Sequence, residues 1–568
     1  MILLNTPNLK SKATKSHELL LIIAWFLIWP ATFAFAARQE RLIDGWRPLF
    51  YSVHLTFDER LSTITEARAE ITALILKPGL KVIDLDFGAM NVSSVTVDHR
   101  RVEFEHSAGK LNVILPNSPP ARSRVEITVV YAGTPKDGLI LTTDKDGKPS
   151  AVGDNWPNRL HHWIPCFDHP SAKAGVVFTV NAPSHNLVVA NGRFESVDSP
   201  GNATRTWVYK EPTPIPPYCM IIAVGQFAKL VPRRPTVTPL SYYVPQSDRK
   251  FAMQGFAPAN PSLKVFSQTV APYPYEKLAL IVGATRYGGM ENSGAIVFSS
   301  NLFTPRNRAQ PISSVFNIPR GTVNLIAHEI AHQWFGDSVT ESTWADLWLS
   351  EGFATYFAGV LLQKVEGEKA FQDYMKQTAE TYFRYARARR TPIFDTETEN
   401  LLGLLNANNY QKGAWVLHML RSWLGDRAFF RGVRAYYNTH KNSTASTEDL
   451  RRALEKASGV DLGPFFKSWI YGGGHPHYEF SWELDQARRV IKLHVNQLQA
   501  ESYFPNPVPV HIVNERGKRR LLLVPNSKEM VKEIPVQHRP VRVDLDPDNT
   551  LLKELSLKIG PDATALRY

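Results

Sequence analysis

The sequence predicts a multidomain α+β protein: strands first, then a helix-dominated stretch, then a second, smaller set of strands. Three observations carry this. From Arg41 to Pro235, apolar and polar residues alternate in short runs broken by turn residues. After Pro245 the apolar spacing lengthens to that of helices. Beyond Gly472-Gly473-Gly474 and Pro476, strand patterns return. At about 150 residues per domain, a chain of 568 residues holds roughly three or four domains. The expected division is a leader at 1–36, an all-β domain at 37–238, a mixed α/β domain at 239–474 and a small β-sandwich at 475–568.

The leader reads as an export signal. Lys10, Lys12 and Lys15 precede an apolar stretch from Leu19 to Phe35, and Ala34-Phe35-Ala36 forms a small-residue exit for signal peptidase. An exported protein is therefore expected, with membrane association only if this segment stays uncleaved. In the β domain, strands are expected at Val102 to Leu115, Val125 to Tyr131, Val176 to Val180 and Thr206 to Val208. Helical patterns follow at Leu325 to Phe335, Leu347 to Val365, Ala414 to Leu424 and Leu450 to Ala457. Near the C-terminus, Val508 to Val513 and Leu521 to Val524 flank a polar turn with Gly517, a hairpin pattern.

Composition narrows the function. Hydrophobic residues at 43% and charged residues at 21% are those of a globular chain. The net charge of +12 is spread out, its densest clusters being Arg387, Arg389, Arg390 and Lys518, Arg519, Arg520. That is a solvated basic surface rather than a nucleic-acid track. With only Cys166 and Cys219, neither a disulfide-dense scaffold nor a cysteine metal site can be built. One bridge between them is chemically allowed outside the cytosol, but both lie in apolar strand-like segments, which favours two buried thiols.

The chemistry concentrates in His328-Glu329-Ile330-Ala331-His332. Val323, Ile326, Ala327, Ile330 and Trp334 recur at helical spacing around it, so the two imidazoles fall on one helix face. Such a pair can hold one Zn²⁺, with Glu329 next to the metal's water. A catalytic site wants a third ligand and an open position. Glu351 lies 19 residues after His332, within a buried stripe of Leu349, Phe353, Tyr356 and Phe357, where a carboxylate is costly unless paired or metal-bound. Two antiparallel helices joined near Ser342 would return it to the imidazoles. His161, His162, His169, His475 and His477 have no such company and read as structural or surface residues.

The block His328 to Trp334, then Phe335-Gly336-Asp337, Val339-Thr340 and Trp344 to Ala354, resembles the M1 family of gluzincin aminopeptidases. Gly288-Gly289-Met290-Glu291-Asn292 resembles that family's exopeptidase motif, Tyr410-Gln411-Lys412-Gly413 its Tyr-x-Lys-Gly segment, and Pro165-Cys166-Phe167-Asp168 a stretch of its N-terminal domain. The resemblance covers nearly all of the chain after the leader. It implies a saddle-like N-terminal β domain, a thermolysin-like catalytic domain and a C-terminal β-sandwich. It also implies one zinc per chain on His328, His332 and Glu351, with Glu329 as general base and Tyr410 as oxyanion donor. Glu291 would bind the α-ammonium of peptides with a free N-terminus, the substrates expected, and leave an internal peptide bond without a partner. Gly288 and Gly289 would let substrate backbone approach.

Three departures stand out. A second ammonium anchor common in the family has no obvious counterpart in Gly153-Asp154-Asn155-Trp156-Pro157. Ser350 stands where Asn is common, and His169 where an acidic residue is common. A helical C-terminal domain of long members has no counterpart here, which leads to the expectation of a more open cleft that takes longer peptides. Competing readings are a catalytically inactive M1-like scaffold, a leukotriene hydrolase-like epoxide hydrolase and a thermolysin-like endopeptidase. The first loses metal ligands or base, the second needs a lipid pocket, and the third cleaves blocked peptides.

Overall fold

The alternation read from Arg41 onward builds a β-rich region whose largest sheet has eight strands. The computed structural model describes residues 37–199, 203–304 and 311–558, so the leader at 1–36 lies outside the described residues. In the large sheet, Trp46–Phe57 lies between Ile64–Ile75, antiparallel, and Ala174–Pro183, parallel. Its inward residues Tyr51, Val53 and Leu55 alternate with outward polar ones, as a sheet with one buried face requires. The run Val102 to Leu115 divides into a hairpin, Phe104–Ser107 and Lys110–Ile114, in a small separate sheet. A four-stranded sheet, including Pro149–Gly153 and Ile222–Gly225, completes the region. Cys166 and Cys219 are free, buried thiols.

The helical region contains a sheet that periodicity does not reveal. Its strands run in the order Ala228–Leu230, Leu240–Val244, Leu278–Gly283, Ala295–Ser299, Gly289–Met290. Leu278–Gly283 is buried at every position and so carries no alternation. The first of these strands precedes residue 239 yet pairs with Leu240–Val244. The last, Gly289–Met290, is an antiparallel edge strand with Gly289 opposite Phe298.

The described residues of this region form eight α-helices: α1 (Arg249–Gly255), α2 (Ala259–Thr269), α3 (Arg320–His332), α4 (Trp348–Val365), α5 (Glu368–Ala386), α6 (Gly413–His440), α7 (Thr447–Ser458) and α8 (Gly463–Trp469). The stripe expected around Glu351 is in fact a helix buried on all sides, because α3, α5 and α6 enclose α4. The connection from α3 to α4 is more than a turn: Val339–Glu341 forms a short strand parallel to Ser443–Ala445 before a 3-10 turn at Trp344–Asp346. No helix among the described residues is long and apolar enough to cross a membrane.

The Gly472-Gly473-Gly474 segment leads from α8 into His477–Asp485, the start of two small sheets. The expected hairpin is present as Val508–Asn514 and Gly517–Leu523, with Asn514 opposite Gly517. A separate apolar seam joins the β-rich region to the helical one. It contains Trp156, Tyr218, Ile221, Ile281, Met290 and Trp344. At roughly 1.5–3 kcal/mol per large apolar side chain, that seam holds the edge strand carrying Met290 firmly in place.

Candidate active site

Helix α3 begins directly after Pro319 and turns Val323, Ile326, Ala327, Ile330 and Ala331 into the core, which leaves His328, Glu329 and His332 to face a cleft. Helix α4 brings Glu351 to them. His328 Nε2 lies 3.2 Å from Glu351 Oε2, His332 Nε2 lies 3.4 Å from the same oxygen, and the two Nε2 atoms are 3.0 Å apart. A tetrahedral ion with ligand bonds of about 2.0–2.1 Å needs donor atoms about 3.3 Å apart. Two imidazoles and a carboxylate at this spacing fit one zinc ion. Among the described residues, the groups with metal-ligand spacing are this triad and Glu291, Glu329 and His332, which shares His332 with it.

The triad has its own support. His332 Nδ1 lies 3.1 Å from Phe335 O and 3.0 Å from Ser350 Oγ, which fixes the ring and leaves Nε2 free as a ligand atom. Burial opposes protonation of His332, but the carboxylates of Glu351 and Glu291 outweigh it and raise its pKa. His328, where burial dominates, is held below the ordinary histidine value. For Glu351, burial is overcome by His332 and the imidazole hydrogen bonds, so its carboxyl stays well below the usual range.

Glu329 is buried and its pKa is raised, chiefly by burial, with Glu291 and Glu351 adding and His332 opposing. Its carboxylate fits against the edge strand only because position 289 lacks a side chain: a Cβ there would come within 2.5 Å of Glu329 Cδ. The close approach that Gly289 accommodates is thus that of the proposed base. A Cβ at Gly288 would meet only Leu325, at an ordinary 3.5 Å.

Tyr410 arrives on one turn of π-helix, Asn408–Lys412, directly before α6. Asn408 and Asn409 anchor that turn, donating to Thr391 O at 3.1 Å and Leu404 O at 2.7 Å. Gly413 then packs on Gly352 of α4, where a Cβ on either would sit 3.0 Å from the other's backbone. This glycine contact draws Tyr410 against the helix carrying Glu351. The Tyr410 ring stacks on His328 at 5.8 Å, and burial, then Glu351, raises its phenol pKa. Lys412 points the other way, into the protein beneath the Trp469 ring.

Glu291 follows the edge strand and is 7% exposed, its pKa pushed up to about 7 by burial, with His332 opposing and Glu351 adding. Gly288, Gly289, Met290, Glu291, His328, Glu329, His332, Glu351 and Tyr410 all line one cleft of about 460 Å³. Asn292 does not. It is fully buried and donates to Met290 O at 3.3 Å, so it supports the loop from behind.

The stretch considered for a second ammonium anchor contributes an aromatic wall instead. Trp156 lines the cleft edge-to-face with Tyr287, ring centroids 6.1 Å apart. Asp154 faces Arg159 at 3.1 Å, and the Asn155 side chain is used at both ends by Met220 O and Trp163 Nε1. At His169, the acidic group is supplied from afar: Glu40 Oε2 lies 3.2 Å from His169 Nε2 and also accepts from Trp344 N. Helix α5 adds Tyr374, Gln377, Thr378 and Thr381 to the cleft, and Asn324 and Thr355 reach it with buried side-chain oxygens that have no hydrogen-bond partner among the described residues. None of these was singled out from sequence, since their approach to the site is tertiary.

Two family models match this chain. A family model described as "Peptidase M1 N-terminal domain" matches residues 47–219, and one described as "Peptidase family M1 domain" matches residues 258–469. The chain is similar to "Probable aminopeptidase 2" of Sulfurisphaera tokodaii, 29% identical over 69% of this chain and 50% of the relative. It is 26% identical to "Leucyl aminopeptidase" of Saccharolobus solfataricus over 70% of this chain and 50% of the relative. "Tricorn protease-interacting factor F2" of Thermoplasma acidophilum is 24% identical over 85% of this chain and 60% of the relative. The chain spans about half the length of the curated relatives it matches first.

Proposed function

The chain belongs to peptidase family M1, and from that footing we propose that it is a zinc-dependent aminopeptidase that removes the N-terminal residue of peptides. The observation that carries this reading is the juxtaposition, in one cleft, of the His328–His332–Glu351 triad with a buried Glu291 carboxylate. Zinc on that triad would supply Lewis acidity, making water more acidic and polarising a carbonyl. The remaining chemistry belongs to the side chains. Glu329, held against Gly289, takes the proton of the attacking water and delivers it to the departing amine. Tyr410, kept as a neutral phenol by burial, donates a hydrogen bond to the developing oxyanion. Glu291 receives the substrate ammonium, which offsets the cost of burying its carboxylate. Trp156, Tyr287 and Leu405 offer apolar surface in the same cleft.

The complete set of ligands, base, phenol and ammonium anchor favours catalysis over a scaffold role. Residues 1–36 are further proposed to direct export, with the mature chain starting near Ala37. The test is metal content together with turnover. Purified protein should carry one zinc per chain and release fluorophore from free aminoacyl substrates, both lost with chelator and both restored by zinc. Turnover indifferent to complete metal removal would refute the proposal.

A further inference from the structure

Gln333 directly follows the second histidine of α3, is fully buried, and uses every polar direction of its amide. Nε2 donates to Glu291 O at 2.8 Å and to Asp337 Oδ2 at 2.8 Å. Oε1 accepts from Gly294 N at 2.8 Å and from the Tyr273 hydroxyl at 3.0 Å. The orientation is determined by its backbone partners: Glu291 O can only accept and Gly294 N can only donate, so a flipped amide would lose both bonds.

The Glu291–Gly294 segment has other anchors, but they come from elsewhere. Asn191 Nδ2 donates to Ser293 O at 2.8 Å and Lys277 Nζ to Gly294 O at 2.9 Å. These fix the segment to the β-rich region and to the sheet. Gln333 instead ties it to the position directly after the metal-ligand candidate His332, gripping the segment at both ends.

That distinction matters because of what an exopeptidase must measure. In a peptide with a free N-terminus, a single Cα separates the ammonium from the first carbonyl. The spacing between ammonium anchor and metal ligands therefore has to be held within about 0.5 Å. We propose that Gln333 is the positioning residue that sets this spacing, by clamping the backbone of Glu291 to the turn after His332. The inference rests on the aminopeptidase reading and adds to it the element that keeps Glu291 in register.

The test uses two probes that differ only in the amine: leucine hydroxamate and isocaproyl hydroxamate, which lacks the amino group. In the zinc-loaded wild type, the amine should improve inhibition roughly 10–100-fold. In Gln333→Met, that ratio should fall below about 5-fold, while zinc stoichiometry and the affinity for isocaproyl hydroxamate are retained. Glu291→Ala should abolish the ratio alone, and adding Gln333→Met to it should cost nothing more in amine recognition. Gln333→Glu keeps the acceptor side and loses the donor to Glu291 O, so it should behave like Gln333→Met and serves if the latter does not fold. A wild-type ratio in folded Gln333→Met, equal weakening of both probes, or loss of zinc from both variants would overturn the proposal. A wild-type ratio in Glu291→Ala would instead refute the role of Glu291, a separate outcome.

Discussion

Replacing Gly289 by alanine puts a methyl group where the Glu329 carboxylate now lies. The added Cβ would stand 2.5 Å from Glu329 Cδ, against about 3.4 Å for an ordinary contact, so the base must retreat by roughly 1 Å. Backbone relief is restricted, because Gly289 pairs with Phe298 and Met290 is buried in the apolar seam. A displacement of about 1 Å in a catalytic group costs on the order of 10²-fold in rate, or about 2.7 kcal/mol of barrier. Gly289→Ala should therefore lower kcat about 100-fold while retaining zinc. Gly288→Ala is the paired control. Its Cβ would meet only Leu325 at 3.5 Å, so the base stays in place and any effect should fall on KM through substrate approach. Steady-state kinetics on a free aminoacyl substrate, with zinc content and thermal midpoint measured alongside, separates the two. Equal effects of both substitutions on kcat, or a wild-type kcat in Gly289→Ala, would refute the packing of base on edge strand.

Tyr410→Phe removes the phenol donor and should lower kcat by about 10²–10³ with little change in KM; an effect confined to KM would argue against oxyanion stabilisation. Glu329→Gln should keep stoichiometric zinc and lose turnover, whereas Glu351→Ala should lose the metal itself, as atomic absorption would show. In the β-rich region, His161 Nδ1 lies 2.8 Å from Asp168 Oδ2. Burial opposes protonation there, but Asp168, with Asp86 behind it, raises the His161 pKa above its ordinary value. A raised folded-state pKa means stabilisation that is complete below about pH 6.5 and lost as pH rises through the folded value. The wild type should thus exceed His161→Phe in urea stability by on the order of 1 kcal/mol at low pH, the gap narrowing above it; a gap that widens with pH contradicts the pairing.

What could be read from sequence was what is local in it. His328, Glu329 and His332 share one helix, so their spacing suggests a metal pair, and Glu351 adds to it because a carboxylate in an apolar stripe stands out. Tyr410 is legible through the resemblance of Tyr410-Gln411-Lys412-Gly413 to the M1 family's Tyr-x-Lys-Gly segment, and Gly413 packs on Gly352. The concealed parts are those set by packing. Leu278–Gly283 is an unbroken apolar run, which periodicity cannot tell from a buried helix segment. Helix α5 supplies four cleft residues, Tyr374, Gln377, Thr378 and Thr381, but only the fold shows which of its faces meets the site. Gln333 lies inside the recognised block, yet its partners come from residues 273, 291, 294 and 337, and nothing in the linear pattern joins them. Gly289 reads from sequence as room for substrate, and the fold adds that its missing side chain also makes room for Glu329.

The most direct test offers the zinc-loaded protein one oligopeptide in two forms, with a free and with an acetylated N-terminus, and follows the products by mass spectrometry. Glu291 acting as an ammonium anchor beside the metal triad predicts stepwise loss of single residues from the front of the free peptide and an intact acetylated one. Cleavage of the acetylated form at a comparable rate, or no shortening of the free form, would contradict the account.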